Sequence, residues 1–135
     1  MRRVFVDSTV LISAAGTMSD DRPYARALLA EAASGDVEMH LSVEAIQEFV
    51  HHRMRRGSLA AVQEASQLRD LSVAHAFDDG VLNEALELIA TTSLRGRDAV
   101  HAATALRAGF DTIVSGDRDF DVIPGLTRVL LSSWR

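Results

Sequence analysis

The sequence predicts a three-layer α/β fold, with a central, mainly parallel sheet of about four to five strands flanked by helices. Three observations predict it. Short apolar runs such as Val4-Phe5-Val6 and Thr112-Ile113-Val114 are continuous rather than alternating, as in strands covered on both faces. These runs alternate with longer helical stretches, the order that gives parallel strands. The stretch from Ala99 to Leu106 is alanine-rich and apolar nearly all round, which marks a helix packed closely into an interior.

The elements follow in order. The first strand ends on Asp7, and Ser8-Thr9 lead into a short helix that Gly16 ends after Ala15. Asp20-Asp21 offers a capping carboxylate and Pro23 a first-turn proline, so a helix is expected from Pro23 to about Ser34, stopped by Gly35. Val37 to Leu41 is a second strand. Ser42 caps the next helix, which reaches about Arg56 with Glu44 in its first turn. Val43, Ile46, Val50 and Met54 recur at three- and four-residue spacing and mark its core face, leaving Glu44, Glu48, His51 and Arg55 on the other side.

Beyond Gly57-Ser58, a helix from Leu59 to about Leu71 and a strand from Val73 to Phe77 are expected. Asp78 or Asp79 then caps a helix from Val81 to Ala90. Thr91 to Arg97 is a polar connection, and Asp98 opens the alanine-rich helix that Gly109 stops. After the Thr112 strand, Ile123-Pro124-Gly125 makes a turn, and Arg128 to Leu131 reads as a last edge strand. Repeats and linkers are absent, and 135 residues suit a single domain.

Composition narrows the chemistry. Without cysteine there is neither a disulfide framework nor a thiolate metal site. Without lysine there is no Schiff base and no P-loop lysine. The apolar runs fall well short of the ~20 residues that span a bilayer. Asp7 interrupts any signal-peptide core after Arg2-Arg3, so a soluble cytoplasmic protein is expected. A net charge of −5 argues against a nucleic-acid partner, unless clustered carboxylates hold divalent cations.

Such a cluster is available. Asp7 and Asp117 each follow a strand, where sites form in open parallel sheets, and Asp98 and Asp119 join them as candidates, with Glu48 a weaker one. Hard divalent cations take carboxylate oxygens, waters and substrate phosphate, and metals held this way cleave phosphodiesters. Each acid also has a structural reading, Asp98 as a helix cap and Asp117 and Asp119 as turn formers beside Gly116. His101 shares a helix face with Asp98 and is read as a packed histidine, and Arg53, Arg55 and Arg56 as a solvated helix end. Arg95, Arg97 and Arg118 border the proposed site and are the candidates for phosphate contact.

Four segments together resemble the PIN-domain ribonucleases, in particular the VapC-type toxins of toxin–antitoxin pairs. They are Val4-Phe5-Val6-Asp7-Ser8-Thr9-Val10-Leu11-Ile12, Ser42-Val43-Glu44-Ala45-Ile46-Gln47-Glu48-Phe49, Arg97-Asp98-Ala99-Val100-His101-Ala102-Ala103-Thr104-Ala105 and Ile113-Val114-Ser115-Gly116-Asp117-Arg118-Asp119-Phe120. The resemblance implies a PIN-like fold and an acidic set of Asp7, Glu48, Asp98 and Asp117, with Asp119 auxiliary and Asp7, Asp98 and Asp117 as metal ligands. It makes Ser115 the small hydroxyl residue at the site, and puts Thr9 where the family often has asparagine. It further implies a Mg²⁺- or Mn²⁺-dependent endoribonuclease, a homodimer and a small antitoxin partner. Two rivals stand beside it: a phosphatase with Asp7 as nucleophile, and a catalytically silent PIN-like binding module.

Overall fold

Val4 and Val6 face one side of the central sheet and Phe5 the other, because successive side chains of a strand alternate. This is seen in a computed structural model that describes residues 2–16 and 19–134. Strands β1 (Arg2–Phe5), β2 (Val37–Ser42) and β3 (Ser72–His75) pair in parallel, with β2 in the middle. Strands β4 (Thr112–Val114) and β5 (Thr127–Val129) pair in parallel with each other. A parallel bridge between Val6 and Val114 joins the two sets, giving the order β3-β2-β1-β4-β5.

The expected three layers are present. Helices α1 (Ser8–Ala15), α2 (Arg22–Ser34), α3 (Val43–Arg55) and α4 (Ala61–Leu71) pack with Val4 and Val6 on one face. Helices α5 (Asp79–Thr91) and α6 (Gly96–Arg107) pack with Phe5 and Ile113 on the other. Residues Ala99 to Ala105 of α6 are all buried, and its small side chains permit that close approach. From β1 the chain builds outward through β2 and β3, then returns to add β4 and β5 on the opposite edge. The sheet therefore has its switch point between β1 and β4, where neighbouring loops diverge and leave a crevice.

Several boundaries differ from the sequence expectation. Only the bridge at Val6 extends β1, and β3 stops at His75, leaving Phe77 41 % exposed. The last strand ends at Val129, and Leu131 instead begins a 3-10 turn. Asp21 occupies the cap position of α2 in helical backbone conformation, and its side chain makes no capping bond. Leu59 lies outside α4, fully exposed. Asp98 is not a cap either: Arg95 holds that position, and Asp98 sits in the first turn of α6.

The largest correction concerns α3. Its buried residues are Ala45 and Phe49, whereas Val43 and Met54 are exposed. Ile46 and Val50 do pack against the core but are only partly buried, so the stripe is turned by less than the roughly 100° between neighbouring residues. That rotation carries Glu48, one step before Phe49, to the edge of the interior.

Candidate functional site

Asp7 stands where β1 leaves the sheet, and it caps α1. Its Oδ1 accepts from the Thr9 amide at 3.2 Å and from the Thr9 hydroxyl at 2.6 Å, and its Oδ2 accepts from Ser115 Oγ at 2.8 Å. Thr9 Oγ1 also accepts from the Gly116 amide at 3.2 Å, and Ser115 Oγ from the Asp117 amide at 2.9 Å. Two hydroxyls therefore tie the end of β1 to the end of β4. Thr9 fills the role of a polar contact at the position where the resembled family often has asparagine. The carboxyl of Asp7 is buried, which pushes its pKa up against the opposing pull of Thr9 and Ser115.

Asp98, Asp117 and Asp119 each offer an oxygen within 4.8 Å of the other two. Asp98 comes from the first turn of α6, and Asp117 caps the 3-10 turn Arg118–Val122, its Oδ1 accepting from the Asp119 amide at 2.9 Å. The crowding has an electrostatic signature. Burial, the charge and hydrogen bond of Asp117, and the nearby Asp7 push the Asp98 carboxyl up to about 7, with His101 pulling the other way. A site so short of positive charge, with only oxygen donors converging, fits a hard divalent cation. The closest group is Asp98, Asp117 and Asp119, with Asp7 beside it as a buried acceptor. Next to Thr9, Gly116 and Asp117 lies a cavity of about 320 Å³.

Glu48 reaches this region from α3. Its Oε2 accepts from Ser8 Oγ at 3.0 Å, and its Oε1 lies 2.6 Å from His101 Nε2. Burial opposes its charge, but His101, Ser8 and Arg97 outweigh burial and hold the carboxyl below its usual range. Ser8 and His101 are thus the contacts that sequence reasoning missed. His101 was legible only as a buried residue on the Asp98 face, because its partner is 53 positions away.

The arginines are placed unevenly. Arg97 lies 3.6 Å from Glu44, and Arg118 is exposed between Asp117 and Asp119. Arg95 is turned onto its own loop, donating to the carbonyls of Thr92 and Leu94. A further arginine escaped notice in the sequence. Arg128 on β5 grips Asp121 through two nitrogens at 2.8 and 3.2 Å, and donates to the Ser115 carbonyl at 3.2 Å. It braces the loop that carries Asp117 and Asp119.

A parallel sheet whose switch point gathers aspartates from β1, β4 and a buried helix is the architecture of the PIN domain, and that family matches residues 4–126. The chain belongs to the PIN domain family. Within it the chain is similar to Ribonuclease VapC7 of Mycobacterium tuberculosis, 30% identical over 131 residues, covering 94% of this chain and 90% of that protein. Its fold is shared by a chain of a toxin-antitoxin complex from Klebsiella pneumoniae, with a TM-score of 0.69, 16% identity, and 92% and 95% of the two chains covered. It is shared too by Mycobacterium tuberculosis VapC20, a Sarcin-Ricin loop cleaving toxin, with a TM-score of 0.71, 21% identity, and 87% and 92% covered.

Proposed function

We propose that the chain is a metal-dependent endoribonuclease and the toxin of a toxin–antitoxin pair, acting as a single PIN domain. One observation carries the reading: acids from three separate segments converge at the sheet's switch point, in a chain related along nearly its whole length to a VapC ribonuclease. Asp7, Asp98 and Asp117 would hold Mg²⁺ or Mn²⁺, with Asp119 as an auxiliary acid. The bound cation supplies Lewis-acid activation for phosphodiester hydrolysis. Thr9 and Ser115 fix the Asp7 carboxylate, while Ser8 and His101 fix Glu48. Arg118, with Arg97 once released from Glu44 and Arg95 once released from its loop, would meet RNA phosphates.

The phosphatase alternative fits less well. Thr9 stands where a second aspartate would act, and the chain has no lysine. The partner expected for this chain is a small antitoxin, and the expected assembly is a homodimer in the cytoplasm. No described helix is long and apolar enough to cross a membrane.

The test is cleavage of a mixed RNA pool, including structured ribosomal RNA and tRNA, with Mg²⁺, Mn²⁺ or EDTA. Cuts should need the metal and should fall at least a hundredfold in Asp7→Asn, roughly 3 kcal/mol of lost transition-state stabilisation. Equal cleavage in EDTA, or by the variant at the wild-type rate, would refute the assignment.

A further inference from the structure

Helices α1 and α3 run side by side away from the acidic site. Ser8 at the start of α1 touches Glu48 in the middle of α3. Seven residues further along α1 is Ala15, and eight further along α3 is Arg56, each about 11–12 Å away at 1.5 Å per residue. There the two helices border a second cavity of about 330 Å³, lined by Ala15, Gly16, His52, Arg53 and Arg56. No carboxylate is among its described lining residues.

This is the densest cationic stretch of the chain, with His51, His52, Arg53, Arg55 and Arg56 in six consecutive positions. Arg53 is 3.4 Å from Glu64, while Arg55 and Arg56 are exposed and have no carboxylate partner among the described residues. The buried His52 Nδ1 has no hydrogen-bond partner among the described residues, and Arg53 Nε has only its ion pair with Glu64. Burial, and after it the charges of Arg56, Arg53 and Arg55, push the His52 pKa down. In a protein of net charge −5, a local basic surface is what a polyanion would need for its approach.

We propose that this cavity is a phosphate subsite for the RNA backbone, with Arg56 and Arg53 as its charged contacts and His52 at its edge. It rests on the nuclease reading and adds to it a second anchoring point. The cavity lies about two helical turns from the Ser8–Glu48 contact. Arg56 and Arg53 would grip through the guanidinium fork, a geometry that suits phosphate. The acidic site and the basic cavity would together set the path of the strand along the α1–α3 seam.

The experiment is binding of a short, labelled single-stranded RNA of mixed sequence to the full chain carrying Asp7→Asn, across a salt series. Arg56→Gln should weaken binding about fivefold at low salt and lower the log–log salt slope by about 0.7, the loss of one phosphate contact. Arg53→Gln should act similarly, Arg56→Lys should keep the slope, and Arg69→Gln on α4 should change neither quantity. An unchanged slope in both glutamine variants, in a protein that binds RNA and whose wild type cuts it, overturns the subsite and leaves the nuclease intact. If these variants instead lose affinity only for an acidic protein partner, the subsite is likewise wrong. A wild-type chain that neither binds nor cuts RNA overturns both readings.

Discussion

Glu48 depends on contacts from two other helices, Ser8 at the start of α1 and His101 in α6. Its position is therefore as good as those two contacts. His101 is fully buried, and its ring also opposes the crowding of charge on Asp7 and Asp98. Replacing it with leucine removes a buried partner from a carboxylate, a loss of about 1–3 kcal/mol. His101→Leu should lower kcat about tenfold or more, and His101→Gln should recover part of the loss. A drop in melting temperature with unchanged kcat would reduce His101 to packing. Asp7, Asp98, Asp117 and Asp119 were nameable from the sequence because each sits beside a strand end or helix start. The contacts of Glu48 were not, since both partners are more than 35 positions away.

Among the elements, α6 was the most legible and α3 the least. An all-round apolar, alanine-rich helix has few places to go but the interior, and Ala102, Ala103 and Ala105 are fully buried. Enlarging Ala103 to leucine should overpack that contact and cost about 1–3 kcal/mol, a fall of several degrees in melting temperature. A melting curve that does not move would mean the helix has slack. On α3, hydrophobic spacing pointed to Val43, Ile46, Val50 and Met54; Ile46 and Val50 do pack against the core, but Ala45 and Phe49 are the residues buried, and Val43 and Met54 are exposed. Periodicity weights large apolar residues equally and misses how one phenylalanine, with an alanine one turn before it, orients a helix. Ser42, by contrast, caps α3 as its position predicted, accepting from the Glu44 amide at 3.1 Å. Capping is a local interaction between neighbours in sequence, so it is readable without the fold.

At the scale of the whole molecule, the acidic crevice costs stability that a cation would return. The Asp98 carboxyl titrates near 7 in the fold and near 3.8 when unfolded, so between those values the native state holds the extra proton. Stability of the metal-free protein should then fall as pH rises through that window, as far as this group decides it. Asp98→Asn should flatten that fall and melt higher than wild type above pH of about 7, by about 1 kcal/mol once solvent screening of this half-exposed group is allowed for. Thermal melts in EDTA across pH check this, and parallel curves for the two proteins would contradict it. Added Mg²⁺ should raise the wild-type melting temperature and leave the variant less affected.

By itself the sequence determined the strand–helix alternation, the parallel three-layer class, the cap at Ser42, a cap at Asp78 or Asp79 that the structure resolves to Asp78, and which aspartates end strands. These follow from interactions within a few residues, or from burial patterns along one element. Only the tertiary structure decided that β4 lies beside β1 rather than beyond β3, and this placement brings Ser115 to Asp7 across 108 positions. It also decided which face of α3 turns inward, that His101 meets Glu48, and that α1 and α3 end at one basic cavity. Strand order and helix rotation are set by the packing of side chains far apart in sequence, and no local pattern encodes them.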